Sequence, residues 1–367
     1  MNPPAQPEMS SSLLINVQAL RLIAALLVVL YHTADQVGAT TPEGSRLFEM
    51  FGLVGFAGVD LFFVISGFIM AHTTQEQFGG PAAWGFTKRR IARIYSGYWP
   101  VFVLTALLLS VWGAPLLSRV AWVGAWFLWP THIDRLLIGV SWTLIFEMVF
   151  YLFFAVIIAS THKNRGRILF IVLLSAALWV IYGEFFRGIY TPQTLPKVDV
   201  YESYLLSPLF IEFLAGALLA IYVRGRPNGA GALWLLAGSA MFVACGWVNA
   251  SVFDGAIGYG YHFWRALIFT PASLAILLGL CRLEHRGLVA PLRLSLIGGG
   301  ASYALYLIHT QLLYVAYQLG IRDLLKGYSA WVIELSYLAL VIVIVIYSVC
   351  HWRWIERPVH RVFRRVL

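Results

Sequence analysis

From residue 17 to 351 the chain alternates long apolar runs with short polar or basic connections. A helix needs about 20 apolar residues to cross a hydrocarbon core. Ten such spans are predicted, at 17–38, 52–74, 94–114, 139–160, 167–183, 205–223, 231–250, 264–281, 296–319 and 329–351. The stretch AWVGAWFLWP, 121–130, is apolar but too short to cross, and is expected to be interfacial or re-entrant. No internal repeat, low-complexity tract or soluble domain interrupts the pattern. It predicts an all-α polytopic membrane protein with a short amino-terminal segment 1–16, a ten-helix domain 17–351 and a basic tail 352–367.

Composition agrees. Of 367 residues 60% are hydrophobic and 12% charged, a balance that no water-soluble domain covers with polar surface. The formal charge of +9 would suit nucleic acid, but the basic residues fall in short clusters between apolar runs, which is how topology is written in a membrane protein. Nucleic-acid binding is therefore not expected. About twice as many Lys and Arg lie on one alternating set of connections, including 88–93, 163–167, 282–293 and 353–365, as on the other. That bias predicts both termini in the cytoplasm. Arg21 with LIAALLVVLY and QVGA also has the outline of a secretory signal peptide, but an even number of spans agrees better with the charge bias. Cys245, Cys281 and Cys350 stand singly in apolar surroundings, so neither a disulfide framework nor a metal site is indicated.

Candidate chemistry comes from ionisable groups inside the spans. Arg21 and His32 are eleven residues apart, which puts them on one helix face about 16 Å apart along the axis. One end of such a pair suits a phosphate and the other a reacting atom. The bland alternative is an arginine that snorkels to headgroups and a histidine that only packs. His32, Asp60, Glu147 and His309 all fall about 6 to 10 residues inside the expected outer boundaries. Intramembrane Asp, Glu and His mark a site by default, so a shared site is expected, although each taken singly has a structural explanation. In KRRIAR, Arg90 and Arg93 are neighbours on a helix at i and i+3 and can meet one phosphate group; Lys88 and Arg89 add charge beside them. A topology signal or a contact with anionic membrane lipids is the competing reading of that cluster.

The words NVQALRLIAALLVVLYH, GVDLFFVISGFIM, FTKRRIARIYSGYW, SWTLIFEMVFYLFF, SYALYLIHTQLLY and IERPVHR, in that order from about residue 16 to 361, resemble the acyltransferase-3 family of multi-spanning acyltransferases. The first three look most like its bacterial exopolysaccharide O-acetylating branch. The resemblance implies an essential histidine at His32, paired with Arg21, and an RxxR element at Arg90 and Arg93 that meets a cytoplasmic acyl-CoA. Glu147 fills the glutamate of the SW word and His309 the histidine of the SY word, and Ser141, Trp142 and Tyr303 in those words are further site candidates. Ser96 and Gly97 stand where relatives often have proline after RIY.

These readings combine into an O-acyltransferase of the bacterial inner membrane. It would move acetyl from acetyl-CoA, or another acyl-CoA, to a hydroxyl of a carbohydrate or lipid-linked glycan. His32 is expected as general base or transient acyl carrier, with Asp60 or Glu147 orienting its ring. No permanently bound cofactor or metal is expected, and partners in polysaccharide biosynthesis or export are possible. Trp126, Trp129, Trp142, Tyr190, Tyr201 and Tyr204 are candidate sugar platforms, although aromatic belts at the interface are commoner. Glu356, Arg357 and Pro358 are expected to stop the last helix. The competing classes are a secondary transporter using the same buried groups and a structural subunit of an export complex.

Overall fold

The computed structural model describes residues 14–41, 45–160, 163–188, 199–205, 207–224, 229–258 and 263–367. Among them the regular structure is helical throughout. Fifteen α-helices follow in order. They are α1 Ile15–Thr40, α2 Arg46–Val54, α3 Gly58–Thr73, α4 Gly80–Val111, α5 Trp122–Phe127, α6 Trp142–Ser160, α7 Arg165–Tyr182 and α8 Val200–Leu205. After these come α9 Leu209–Arg224, α10 Gly231–Val252, α11 Phe263–His285, α12 Leu292–Gln318, α13 Ile321–Leu325, α14 Ala330–His351 and α15 Arg357–Val366.

Nine helices among the described residues are long and apolar enough to cross a membrane. The tenth expected span is α12, whose 27 residues also suffice in length. It is less apolar because Gly298, Gly299, Ser302 and His309 lie on it, all buried in the bundle. A helix that faces protein need not be greasy all round. The expected re-entrant piece is α5, which does not cross. Instead its backbone carbonyls accept from α4: Tyr95 donates to Phe127, Tyr98 to Ala125 and Trp99 to Trp126.

α1 packs against α3, α11, α12 and α14, while α4 meets α6, α12 and α15. α7, α10 and α14 turn exposed rows of large apolar side chains outward, among them Ile171, Leu174, Leu236, Val243, Ile342 and Ile346. Lipid tails are the natural neighbours of such faces. Close crossings use small residues, as expected where packing rather than water drives helix association. At α3 against α9, a Cβ on Gly67 would lie 1.8 Å from the Phe213 carbonyl oxygen, and one on Gly216 2.0 Å from that of Val64. Gly67→Ala must therefore separate two backbones; a loss of about 1–3 kcal/mol is expected, read as a lower melting midpoint in detergent.

Two sequence expectations change. The basic cluster 88–93 does not precede a helix but lies within α4, which runs unbroken from Gly80. Ser96 and Gly97 sit in its middle without a break; Gly97 makes room for the Tyr303 ring, which a Cβ there would approach to 2.4 Å. The last helix also does not stop at Glu356. Pro358 cannot donate to the carbonyl four residues back, and a π-turn at Trp352–Glu356 widens the helix just before it. The chain then continues as α15, packed on α4.

Candidate active site

Three cavities follow one another through the bundle. The first, of about 310 Å³, opens among the basic residues Arg89, Arg90 and Arg93 of α4 and His360 and Arg364 of α15. The second, about 200 Å³, shares Arg90 and Arg93 with it and runs inward past Arg21, Glu147, Tyr151 and Tyr303. The third, about 750 Å³, opens at the far end and is lined by His32, Asp35, His132, Asp134, Trp142 and Tyr204 among others. Val59 and Tyr306 line both the second and the third. The second and third cavities therefore adjoin at these two side chains, which stand between them.

At the basic end the cations are individually placed. Arg93 is ion-paired at 2.6 Å with Glu356, whose side chain is 1% exposed, and its guanidinium lies 5.2 Å from the centre of the Tyr303 ring. Tyr303 is held in turn by its hydroxyl, which donates to the Ile94 carbonyl at 2.9 Å. Arg90 lies over the rings of Phe86 and Tyr151 at 5.2 and 5.6 Å. Arg21 reaches Gln18 at 3.3 Å, and Tyr151 donates to Glu147. Arg89 donates to Gln77 at 3.0 Å, whereas Lys88 turns away to the Leu367 carbonyl at 2.5 Å. Lys88 thus lines none of the three cavities.

His32 faces the far cavity from α1, and its ring meets His309 of α12. His309 Nδ1 lies 3.2 Å from the Leu305 carbonyl and His32 Nδ1 lies 3.0 Å from that of Val28. Carbonyl oxygens only accept, so both Nδ1 atoms carry their protons. His309 Nε2 is then a lone pair 3.2 Å from His32 Nδ1–H and accepts from it. By elimination, His32 Nε2 is left with a lone pair. His309 is fully buried, and Tyr306, one turn before it on α12, accepts from Thr143 at 3.0 Å and donates to Val140 at 3.2 Å. Such an arrangement fixes tautomer and ring direction, as a carboxylate does beside a hydrolytic histidine.

The expectation that Asp60 or Glu147 holds the His32 ring is therefore replaced: His309 makes that contact. Asp60, 0% exposed, is clasped by Arg265 of α11, whose Nη2 donates to Oδ2 at 2.7 Å and whose Nε lies 3.0 Å from both oxygens. Glu147 lines the second, inner cavity instead. Equal residue counts from predicted ends misjudge depth, since the 26 residues of α1 span about 39 Å and overrun a core of about 30 Å. Ser141 is buried and donates to the Ile138 carbonyl at 2.7 Å, a local turn contact.

Of the candidate platforms, Trp142 and Tyr204 line the far cavity. Trp126 stacks on Trp99, and Trp129 donates to Tyr201 at 3.1 Å. Tyr190 lies outside the described residues. Sequence reasoning missed Asp35, although it follows His32 by three residues on one helix and shares its cavity. It also missed Glu356, read only as an end signal, and the Arg265 partner of Asp60, which no local pattern announces.

Comparison with known proteins identifies the family. Residues 14–350 match the model of a family described as an acyltransferase domain. The chain is 28% identical over 298 residues to "Exopolysaccharide production protein ExoZ" of Rhizobium meliloti (strain 1021), covering 77% of this chain and 80% of the relative. It is 27% identical over 352 residues to "Acyltransferase MdmB" of Streptomyces mycarofaciens, covering 88% and 86%. No solved structure matches. With an all-helical membrane architecture and a family match over nearly its whole length, the chain belongs to the acyltransferase-3 family of membrane acyltransferases.

Proposed function

We propose that this chain takes an acyl group, most simply acetyl, from acyl-CoA bound at the basic end and transfers it to a hydroxyl of a glycan in the far cavity. The observation that carries the proposal is the shared wall at Val59 and Tyr306, where a cavity with a cationic mouth meets the cavity that holds His32. A phosphate-bearing carrier suits one end and a hydroxyl-bearing acceptor the other. The pantetheine arm, extended through the intervening space, brings the thioester to the junction.

His32 Nε2 takes the proton of the acceptor hydroxyl, whose oxygen attacks the thioester carbonyl. The C–S bond breaks, coenzyme thiolate leaves, and the imidazolium returns the proton to it. Transient transfer of the acyl group to His32 itself is the covalent variant of the same step. His309 stabilises the imidazolium by accepting its Nδ1–H. Arg265, held by Asp60 behind it, forms part of the far cavity's wall, and Arg21, Arg90 and Arg93, with Arg89 outside them, provide the positive field for the donor.

A far cavity of about 750 Å³ is within the size range of small-molecule sites. Asp35 and Asp134 offer acceptors to hydroxyl groups, and Trp142 offers an aromatic face. A relative described as an exopolysaccharide production protein supports a glycan acceptor. The charge bias supports a cytoplasmic basic end in a bacterial inner membrane, so a cytoplasmic donor would serve an envelope or exported glycan. Family membership favours acyl transfer over the transport reading.

Arg90 offers a clean test, because Arg93 also neutralises buried Glu356. Arg90→Ala is expected to raise the KM for acyl-CoA about tenfold with little change in kcat, the value of one charge-assisted contact. Initial rates with labelled acetyl-CoA in membrane vesicles measure this. An unchanged KM removes Arg90 from the donor site.

A further inference from the structure

The mouth cavity contains more positive charge than the RxxR element supplies. α15 lies against α4 and contributes His360 and Arg364 to the same walls as Arg89, Arg90 and Arg93. His360 is anchored there, its Nδ1 3.3 Å from both the Ala92 carbonyl and the Ser96 hydroxyl. Glu356, in the π-turn that precedes α15, ties the start of the tail helix to Arg93. The ion pairs among the described residues are Arg93–Glu356, Arg187–Glu202 and Arg265–Asp60, so neither Arg89 nor Arg364 has an acidic partner.

The cavities also impose an order. Arg90 and Arg93 line both the mouth and the inner cavity, whereas Arg89, His360 and Arg364 line the mouth alone. Coenzyme A carries its groups in a fixed sequence: thioester, pantetheine arm, diphosphate, then a ribose bearing a 3′-phosphomonoester. An arm in the inner cavity sets the diphosphate at Arg90 and Arg93. The phosphomonoester then falls farther out, among the cations that line only the mouth.

We propose that the tail helix is part of the donor site, with Arg364 and His360 of α15 joining Arg89 of α4 to bind the 3′-phosphomonoester of the coenzyme. This inference rests on the acyl-CoA reading above. It gives the tail helix a role in recognition of the donor.

The test measures binding of coenzyme A and of dephospho-coenzyme A, which lacks only that phosphate, to the full chain in phosphatidylcholine nanodiscs. Wild type is expected to bind coenzyme A about tenfold more tightly than the dephospho form. Arg364→Ala should abolish the difference by weakening coenzyme A alone, and Arg364→Lys, which keeps the charge, should retain a preference. Equal wild-type binding of the two forms overturns the inference while leaving the donor reading intact, and so does an Arg364→Ala variant that weakens both by the same factor. Wild type that binds neither form overturns the donor reading and the inference together. An Arg364→Ala effect seen only when phosphatidylglycerol is included assigns the cluster to lipid headgroups and overturns the inference.

Discussion

His32→Ala is expected to reduce acyl transfer by about 10²–10⁴-fold, the range that a positioned general base contributes. The KM for the donor should stay close to wild type, because the cations proposed to hold it line other cavities. The ring is half-buried at the wall of the far cavity beside Tyr31 and His309, so its loss enlarges that cavity while His309 keeps its bond to the Leu305 carbonyl, and membrane insertion should persist. His309→Leu removes the acceptor of the Nδ1 proton but leaves the Val28 carbonyl, so the tautomer survives. A drop in kcat on the order of tenfold, about 1.4 kcal/mol, is expected there. The measurement is initial rate against acyl-CoA concentration in vesicles, normalised to folded protein. Transfer that continues unchanged in His32→Ala excludes the imidazole as the base.

Arg265→Ala should produce the largest loss of stability, about 3–5 kcal/mol, since removing one partner of a buried pair strands the other. Arg265 is 2% exposed, and besides Asp60 it donates to the Phe56 carbonyl at 3.1 Å and lies 5.1 Å from that ring centre. Losing the guanidinium strands the Asp60 carboxylate in a low-dielectric interior, whereas in Asp60→Asn Arg265 keeps the Phe56 carbonyl and ring and can still donate to the amide oxygen. Arg265→Ala should therefore melt at a lower temperature than Asp60→Asn, as read by fluorescence-detected size exclusion after heating. Equal melting temperatures would sink this account of the buried pair.

Much of this molecule could be read along the chain, and the reasons are local. Apolar runs of membrane length predict the spans because hydrocarbon tolerates little else, and the KRRIAR spacing places Arg90 and Arg93 together because both lie on one helix. Arg21 and His32 did share a side of α1, yet they open into different cavities, since Val59 and Tyr306 stand between them. Partners across helices were not legible: His309 is 277 residues from His32, and Arg265 is 205 from Asp60. Hydropathy ranks residues by type and says nothing of which face meets which neighbour. The same limit hid α15, where a proline and a basic run look like an end although a π-turn lets the helix go on to close over the basic mouth.

A cryo-electron microscopy structure of this protein with a thioether analogue of acetyl-CoA, which binds but cannot transfer, tests the route most directly. The phosphates are expected beside Arg90 and Arg93, the arm in the cavity of Arg21 and Tyr303, and the acyl carbon at the Val59–Tyr306 junction facing His32 Nε2. An analogue seated on the lipid-facing surface, or one whose acyl end points away from His32, contradicts the account.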